Sequence, residues 1–217
     1  MSSHIGTCKN LNMTAVILAG GKSKRMQTNK ALLTFHRKPM VSHISELLHG
    51  IFDDIIVVAS NILDYSSAGV TTVTDLIKDR GPLGGLYTGL FYAPGSHVFV
   101  VGCDMPLLNR EVIRYLINQV NPSLDVIVPL LPGGYEPLHA VYSRKCLKLI
   151  ETHLRYEKLK ITALYDRLRI KAVVAGEFDQ FDPMGISFFN VNSPEDFARA
   201  QLLSQGLLGT APRKHVP

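Results

Sequence analysis

Two adjacent glycines, Gly20 and Gly21, are followed closely by four cations: Lys22, Lys24, Arg25 and Lys30. Paired glycines let the backbone turn at positive φ and leave no Cβ in front of the amides, so several N–H groups can converge on one anion. Amides and cations packed this closely complement a polyphosphate. The spacing matches neither G-x-x-x-x-G-K-[ST] nor G-x-G-x-x-G, so neither common phosphate loop applies. Taken alone, the stretch also reads as a strand followed by a solvated basic turn.

Four other places carry polar chemistry. Asp104, in Cys103-Asp104-Met105-Pro106, follows an apolar run at 97–102. A carboxylate at the end of a buried strand is costly unless something pairs with it. Mg²⁺ suits that role because it takes one or two carboxylates and fills its other positions with water and phosphate oxygens; an Asp capping the next turn is the alternative. In Gly81-Pro82-Leu83-Gly84-Gly85, the glycines either pack a helix closely on a sheet or let a base ring slide across the backbone. Asn190 and Asn192 project to one side of an extended segment, or serve as turn residues before a helix cap. His139 lies in an extended stretch at 135–142 and could contact a substrate, although a lone histidine is more often structural.

The elements that must position these residues follow from periodicity. Residues 15–19 and 55–60 read as strands buried on both faces, with an amphipathic helix at 40–50 between them. That βαβ unit implies a parallel sheet with a right-handed crossover. Further strands are expected at 70–74, 97–102, 126–129, 135–142 and 170–174. Helices are expected at 86–92, after Asn109, at 143–154 and 160–168, and after Ser193-Pro194. Asn61 and Asp75 then lie just past the carboxyl ends of two strands, where open α/β sheets bind ligands.

The 217 residues therefore suggest one α/β domain at 13–203, with a disordered extension at 1–12 and a tail at 204–217. There is no apolar run long enough to span a membrane and no signal-peptide pattern, so a cytoplasmic protein without a membrane partner is expected. Cys8, Cys103 and Cys146 lack metal or redox spacing and read as reduced thiols. The net charge of +5 favours anionic partners, but the basic residues lack interleaved aromatics, which argues against nucleic acid.

The order Leu18-Ala19-Gly20-Gly21-x-Ser23-x-Arg25-Met26, followed by Lys30, resembles the L-A-G-G-x-S-x-R-M-G-x-D-K signature of the nucleotidyltransferases that work on molybdopterin. Cys103–Pro106 and the stretch from Asn190 to Glu195 resemble that family's C-D-x-P and N-V-N-[ST]-P-E motifs. The likeness is closest to the molybdenum cofactor guanylyltransferase branch. Gln27 and Asn29 depart from the signature, where the family has Gly and Asp.

The resemblance implies a three-layer, Rossmann-like nucleotidyltransferase domain. It would transfer GMP from GTP to the phosphate of molybdopterin or Mo-molybdopterin, with Mg²⁺ on Asp104. It assigns Leu18, Ala19, Gly20, Gly21, Lys22, Lys30, Asn61, Asp75, Gly81, Pro82, Leu83 and Gly84 to the nucleotide. Arg25, Lys30 and Asp104 are assigned to catalysis, and His139, Asn190 and Asn192 to the acceptor. Proteins of molybdenum insertion and molybdoenzyme maturation are the implied partners. A cytidylyltransferase for the same acceptor would share the phosphate-handling residues, whereas a silent nucleotide-binding module should lose the Asp104 carboxylate.

Overall fold

A computed structural model describes residues 13–19, 30–61, 65 and 70–206. Its centre is an eight-stranded mixed sheet with strands β1 (Thr14–Leu18), β4 (Asp54–Ala59), β5 (Thr71–Thr74), β6 (His97–Gly102), β7 (Val126–Leu131), β8 (Gly134–Tyr135), β9 (His139–Ser143) and β10 (Ile170–Val174). The order is β10-β7-β9-β6-β1-β4-β5, with β8 paired to β7. β1 runs parallel to both β4 and β6, so its five residues are enclosed on each side and wholly buried, as their unbroken apolar run requires. β9 is reversed between β6 and β7, and the short β8 also runs antiparallel to β7.

Successive side chains of each strand point to opposite faces. Ala15, Ile17, Val57, Phe99 and Val101 join one apolar cluster with helices α1 (Met40–His49) and α3 (Arg110–Asn118) and with Ala200 of α5 (Pro194–Ser204). Val16, Leu18, Val58, Val98 and Val100 join a second with α2 (Gly81–Tyr92) and α4 (Leu147–Arg155). The molecule is therefore one domain of three layers with a mostly parallel sheet in the middle, as the sequence implies.

Helix α2 begins five residues earlier than the apolar pattern indicates, because Gly81 enters the helix at φ +57 and Pro82 fits its first turn. Glycines then recur one helical turn apart on the face of α2 that lies on β1. A Cβ on Gly85 would stand 3.1 Å from Leu18 Cδ2, and one on Gly89 only 2.5 Å from Val16 Cγ1. The close-packing reading of this glycine-rich stretch thus holds for its second half.

Three other expectations change. Residues 160–168 form a 3₁₀ helix, Ile161–Arg167, and not an α-helix. A short hairpin of β2 (Thr34–Phe35) and β3 (Lys38–Pro39) precedes α1, turned by His36 and Arg37 at positive φ. The continuous strand at 135–142 is broken: Leu130 pairs with Tyr135 while Ile127 pairs with Val141, so residues 136–138 bulge out of the ladder. Pro137 accounts for the break, since it has no N–H to give the sheet. No helix among the described residues is long and apolar enough to cross a membrane. The expected extension at 1–12 and most of the tail, together with Gly20, Gly21, Lys22 and Arg25, lie outside the described residues, as does the side chain of Lys30.

Candidate active site

The carboxyl ends of β1, β4, β5 and β6 lie together at one edge of the sheet, and backbone hydrogen bonds tie them to one another. Ala19 N donates to Val58 O at 2.8 Å, Asp75 N to Ala59 O at 3.2 Å, and Cys103 N to Leu18 O at 3.1 Å. From below, Tyr65 Oη donates to Ala19 O at 3.0 Å. Leu18 and Ala19 are buried where the chain enters the glycine-rich stretch, Asn61 is exposed at the end of β4, and Asp75 is half-buried at the end of β5. The structure thus brings these four residues to one edge.

Asp75 is incompletely satisfied. Its Oδ1 is sheltered from water and has no hydrogen-bond donor among the described residues, and burial raises its carboxyl above the ordinary range. Such an oxygen stabilises the site only when a donor reaches it. Gly81 and Pro82 stand exposed at the start of α2. Leu83 does not fit its expected role: it is fully buried against the sheet, because the helix turns that position inward. Gly84 is also buried, and a Cβ there would meet Arg80 Cβ and Ile77 O at 3.0 Å, so its glycine serves local packing.

Asp104 sits where three segments meet. Gly102 N, two residues before it, donates to Leu138 O at 3.1 Å, and Asp104 O accepts from Val191 N at 2.8 Å. On the far side, His43 of α1 bonds Pro106 O at 3.0 Å. A carbonyl can only accept, so Nε2 of that ring carries the hydrogen, and burial holds the ring's pKa below its ordinary value. The Val191 bond brings Asn190 and Asn192 beside the Asp104 turn. Asn190 Nδ2 donates to Phe188 O at 3.4 Å, and Ser193 and Asp196 form a reciprocal cap that fixes the segment where α5 begins. Asp182, buried just upstream, accepts from Ile186 N, Ser187 N and the Ser187 hydroxyl and holds the preceding turn.

His139 is corrected by its surroundings. The residue is completely buried, with its ring against Phe99 (5.4 Å between centroids) and Phe188 (4.8 Å), and neither nitrogen has a partner among the described residues. Burial pulls its pKa down to about 3, so the ring is neutral. With no exposed surface, it is a core residue beneath the site and not an acceptor contact.

Glu136, on the same stretch, lies near Asp104 instead. It heads the bulge between β8 and β9, and burial together with the nearby Asp104 charge pushes its carboxyl up to about 7. The alternation of a continuous strand hides this residue, and Pro137 is the signal that marks the bulge.

The donor set fits a divalent cation. Gly102 leaves open the volume that the Asp104 carboxylate occupies: a Cβ there would lie 2.5 Å from Asp104 Oδ1. Among the described residues no three His, Cys, Asp or Glu side chains converge as a ready-made cage. Hard oxygens from one or two carboxylates, completed by phosphate and water, are what Mg²⁺ accepts.

Comparison with known proteins gives the family. Residues 15–171 match the MobA-like NTP transferase domain. The chain is 36% identical to a molybdenum cofactor guanylyltransferase of Desulfosudis oleivorans, over 87% of this chain and 94% of that one. It is 35% identical to a probable molybdenum cofactor guanylyltransferase of Pelotomaculum thermopropionicum, over 90% and 95%. Among solved structures, molybdopterin-guanine dinucleotide biosynthesis protein A of Archaeoglobus fulgidus superposes with a TM-score of 0.79 at 23% identity, over 89% of this chain and 99% of that one, a likeness of fold. With its sheet order, its site at the strand ends and these relatives, the chain belongs to the MobA-like NTP transferase family and is a nucleotidyltransferase.

Proposed function

We propose that the protein transfers GMP from GTP to the terminal phosphate of molybdopterin, in its metal-free or molybdenum form, and releases pyrophosphate. The observation that carries this reading is the near full-length match, at 36% identity, to a relative named for guanylyl transfer to the molybdenum cofactor.

Attack of one phosphate on the α-phosphorus of another is opposed mainly by charge repulsion and orientation, so the reaction needs cations and positioning more than a proton acceptor. A phosphate monoester is already largely ionised near neutral pH, its second pKa being about 6. Asp104 is the proposed ligand for Mg²⁺, which when bound neutralises phosphate charge. Asp75 offers its unmatched oxygen to N–H or O–H donors of the nucleoside. Asn190 and Asn192 present amides to the acceptor, and the half-buried Glu136 near Asp104 adds a further polar group. Gly20, Gly21, Lys22, Arg25 and Lys30 supply amides and cations for the triphosphate, the role their family signature implies.

The test is to incubate the purified protein with molybdopterin, Mg²⁺ and GTP, CTP or ATP in separate reactions and follow pyrophosphate. GTP should turn over fastest. Faster turnover of CTP would make the protein a cytidylyltransferase, and no release from any nucleotide would leave it a binding module.

A further inference from the structure

Strand β6 is made of bulky residues, His97 to Val101, until it reaches Gly102. Glycine within a strand costs backbone entropy and gives up side-chain packing, so its presence calls for a reason. Conformation is not that reason: Gly102 is absent from the left-handed glycines, Gly81, Gly134, Gly185 and Gly206, and it keeps ladder geometry opposite Leu18. Space is the reason. The Asp104 carboxylate folds back over its own strand, and Oδ1 occupies the position that a side chain at 102 would claim. On the other side of the same volume lies Leu138 Cδ1, 3.8 Å from the Cβ position.

We propose that Gly102 is a positioning residue for the site: its missing side chain forms the cradle that holds the Asp104 carboxylate in the one orientation from which it reaches a divalent cation. The main chain of the turn is already fixed by Val191 N, Leu18 O and the His43 bond to Pro106 O. The side-chain torsion that places Oδ1 over Gly102 is open only because position 102 has no Cβ. A methyl group added there meets the mobile end of a short side chain and not the backbone, so the carboxylate rotates to another staggered position while the strand stays in place. Alanine is also compatible with extended backbone and reduces the entropy of the unfolded chain. The substitution should therefore separate metal affinity from stability.

The proposal rests on reading Asp104 as the cation ligand, and the experiment is chosen to separate the two. Mn²⁺ binding to the full-length protein saturated with a non-hydrolysable α,β-methylene GTP analogue is measured by electron paramagnetic resonance. The proteins are wild type, Gly102→Ala, Asp104→Asn and the double variant, each with a thermal melt. Gly102→Ala should weaken Mn²⁺ roughly tenfold or more, the range expected when a supporting contact of a metal ligand is lost. Its melting temperature should not fall, and Gly102→Ala should add nothing once Asp104 is already Asn. Mn²⁺ binding by Gly102→Ala equal to wild type, while Asp104→Asn loses it, overturns the cradle and leaves the metal reading standing. Wild-type binding by Asp104→Asn overturns both. A further loss in the double variant, or a collapsed melt in Gly102→Ala, shows that position 102 acts through something other than the carboxylate and also overturns the proposal.

Discussion

At the scale of single residues, two buried or half-buried side chains behave in opposite ways. Asp104 is held in place through its main chain, and its carboxylate is the proposed cation ligand, so Asp104→Asn should keep the fold and lose turnover. A ligand that neutralises charge in the transition state acts on kcat, and a loss of roughly tenfold or more corresponds to at least ~1.4 kcal/mol. Turnover across a magnesium titration, beside a thermal melt, checks this; full activity at limiting Mg²⁺ would remove Asp104 from the metal.

His139 is the reverse case, a polar ring with nothing to do. Its folded pKa of about 3 lies below the ordinary 6.5, so the unfolded chain takes up a proton that the folded one refuses. The stability this residue contributes is present above pH 6.5 and is lost as pH falls toward 3. His139→Leu should be as stable as wild type or more so at neutral pH, with a shallower loss on acidification, and should keep its activity. A stable but inactive variant would restore a substrate role. Read as one continuous strand, residues 135–142 would put His139 on the acceptor side. The bulge at residues 136–138 shifts the ladder, leaving Glu136 beside Asp104 and His139 inside the core.

At the scale of elements, the packing of α2 on β1 depends on the absence of side chains. Gly89→Ala would drive a methyl group to 2.5 Å from Val16 Cγ1, and overpacking of this kind costs about 1–3 kcal/mol. Urea denaturation should record that loss, whereas an unchanged midpoint would mean that the helix slides without cost. The start of α5 is a second such point. Ser193 accepts from Asp196 N, and Asp196 accepts in return from Ser193 N and Asn192 N, so Ser193→Ala should lose about 1 kcal/mol by the same measurement. This cap was legible in the sequence, since Ser-Pro-Glu-Asp satisfies every local rule for a helix start. The hairpin at 34–39 was not, because two residues per strand give no period to detect. The 3₁₀ form of Ile161–Arg167 escaped for a related reason: Ile161, Leu164 and Tyr165 satisfy helical spacing at either pitch.

At the scale of the molecule, β1 and β6 form the centre and β5 an edge. Opening β1 means separating both neighbours and both apolar layers, so the amides of Val16, Ile17 and Val100 should exchange hydrogen only on global unfolding. Those of β5, paired on one side and half-exposed, should exchange through local opening. Mass-resolved hydrogen exchange distinguishes the two, and equal protection of β1 and β5 would contradict the layered description. The architecture was readable in advance because doubly buried parallel strands leave unbroken apolar runs. The order of strands beyond β6 was not, because a reversed strand such as β9 carries the same apolar composition as its neighbours.

That reversal has a consequence for how such a protein can change over generations. Every parallel strand delivers to the ligand edge the loop that leaves it, but β9 delivers the loop that enters it, residues 136–138. β9 is therefore a seam. On one side lie β1, β4, β5 and β6, whose ends carry residues proposed for the nucleotide and the cation; on the other lie β7, β8 and β10. Residues inserted or deleted at the tip between β7 and β8, or in the bulge, leave the register of β1, β4 and β6 untouched. On the proposed function, a lineage could thus remodel this half of the site while inheriting unchanged the strand ends proposed to hold the donor.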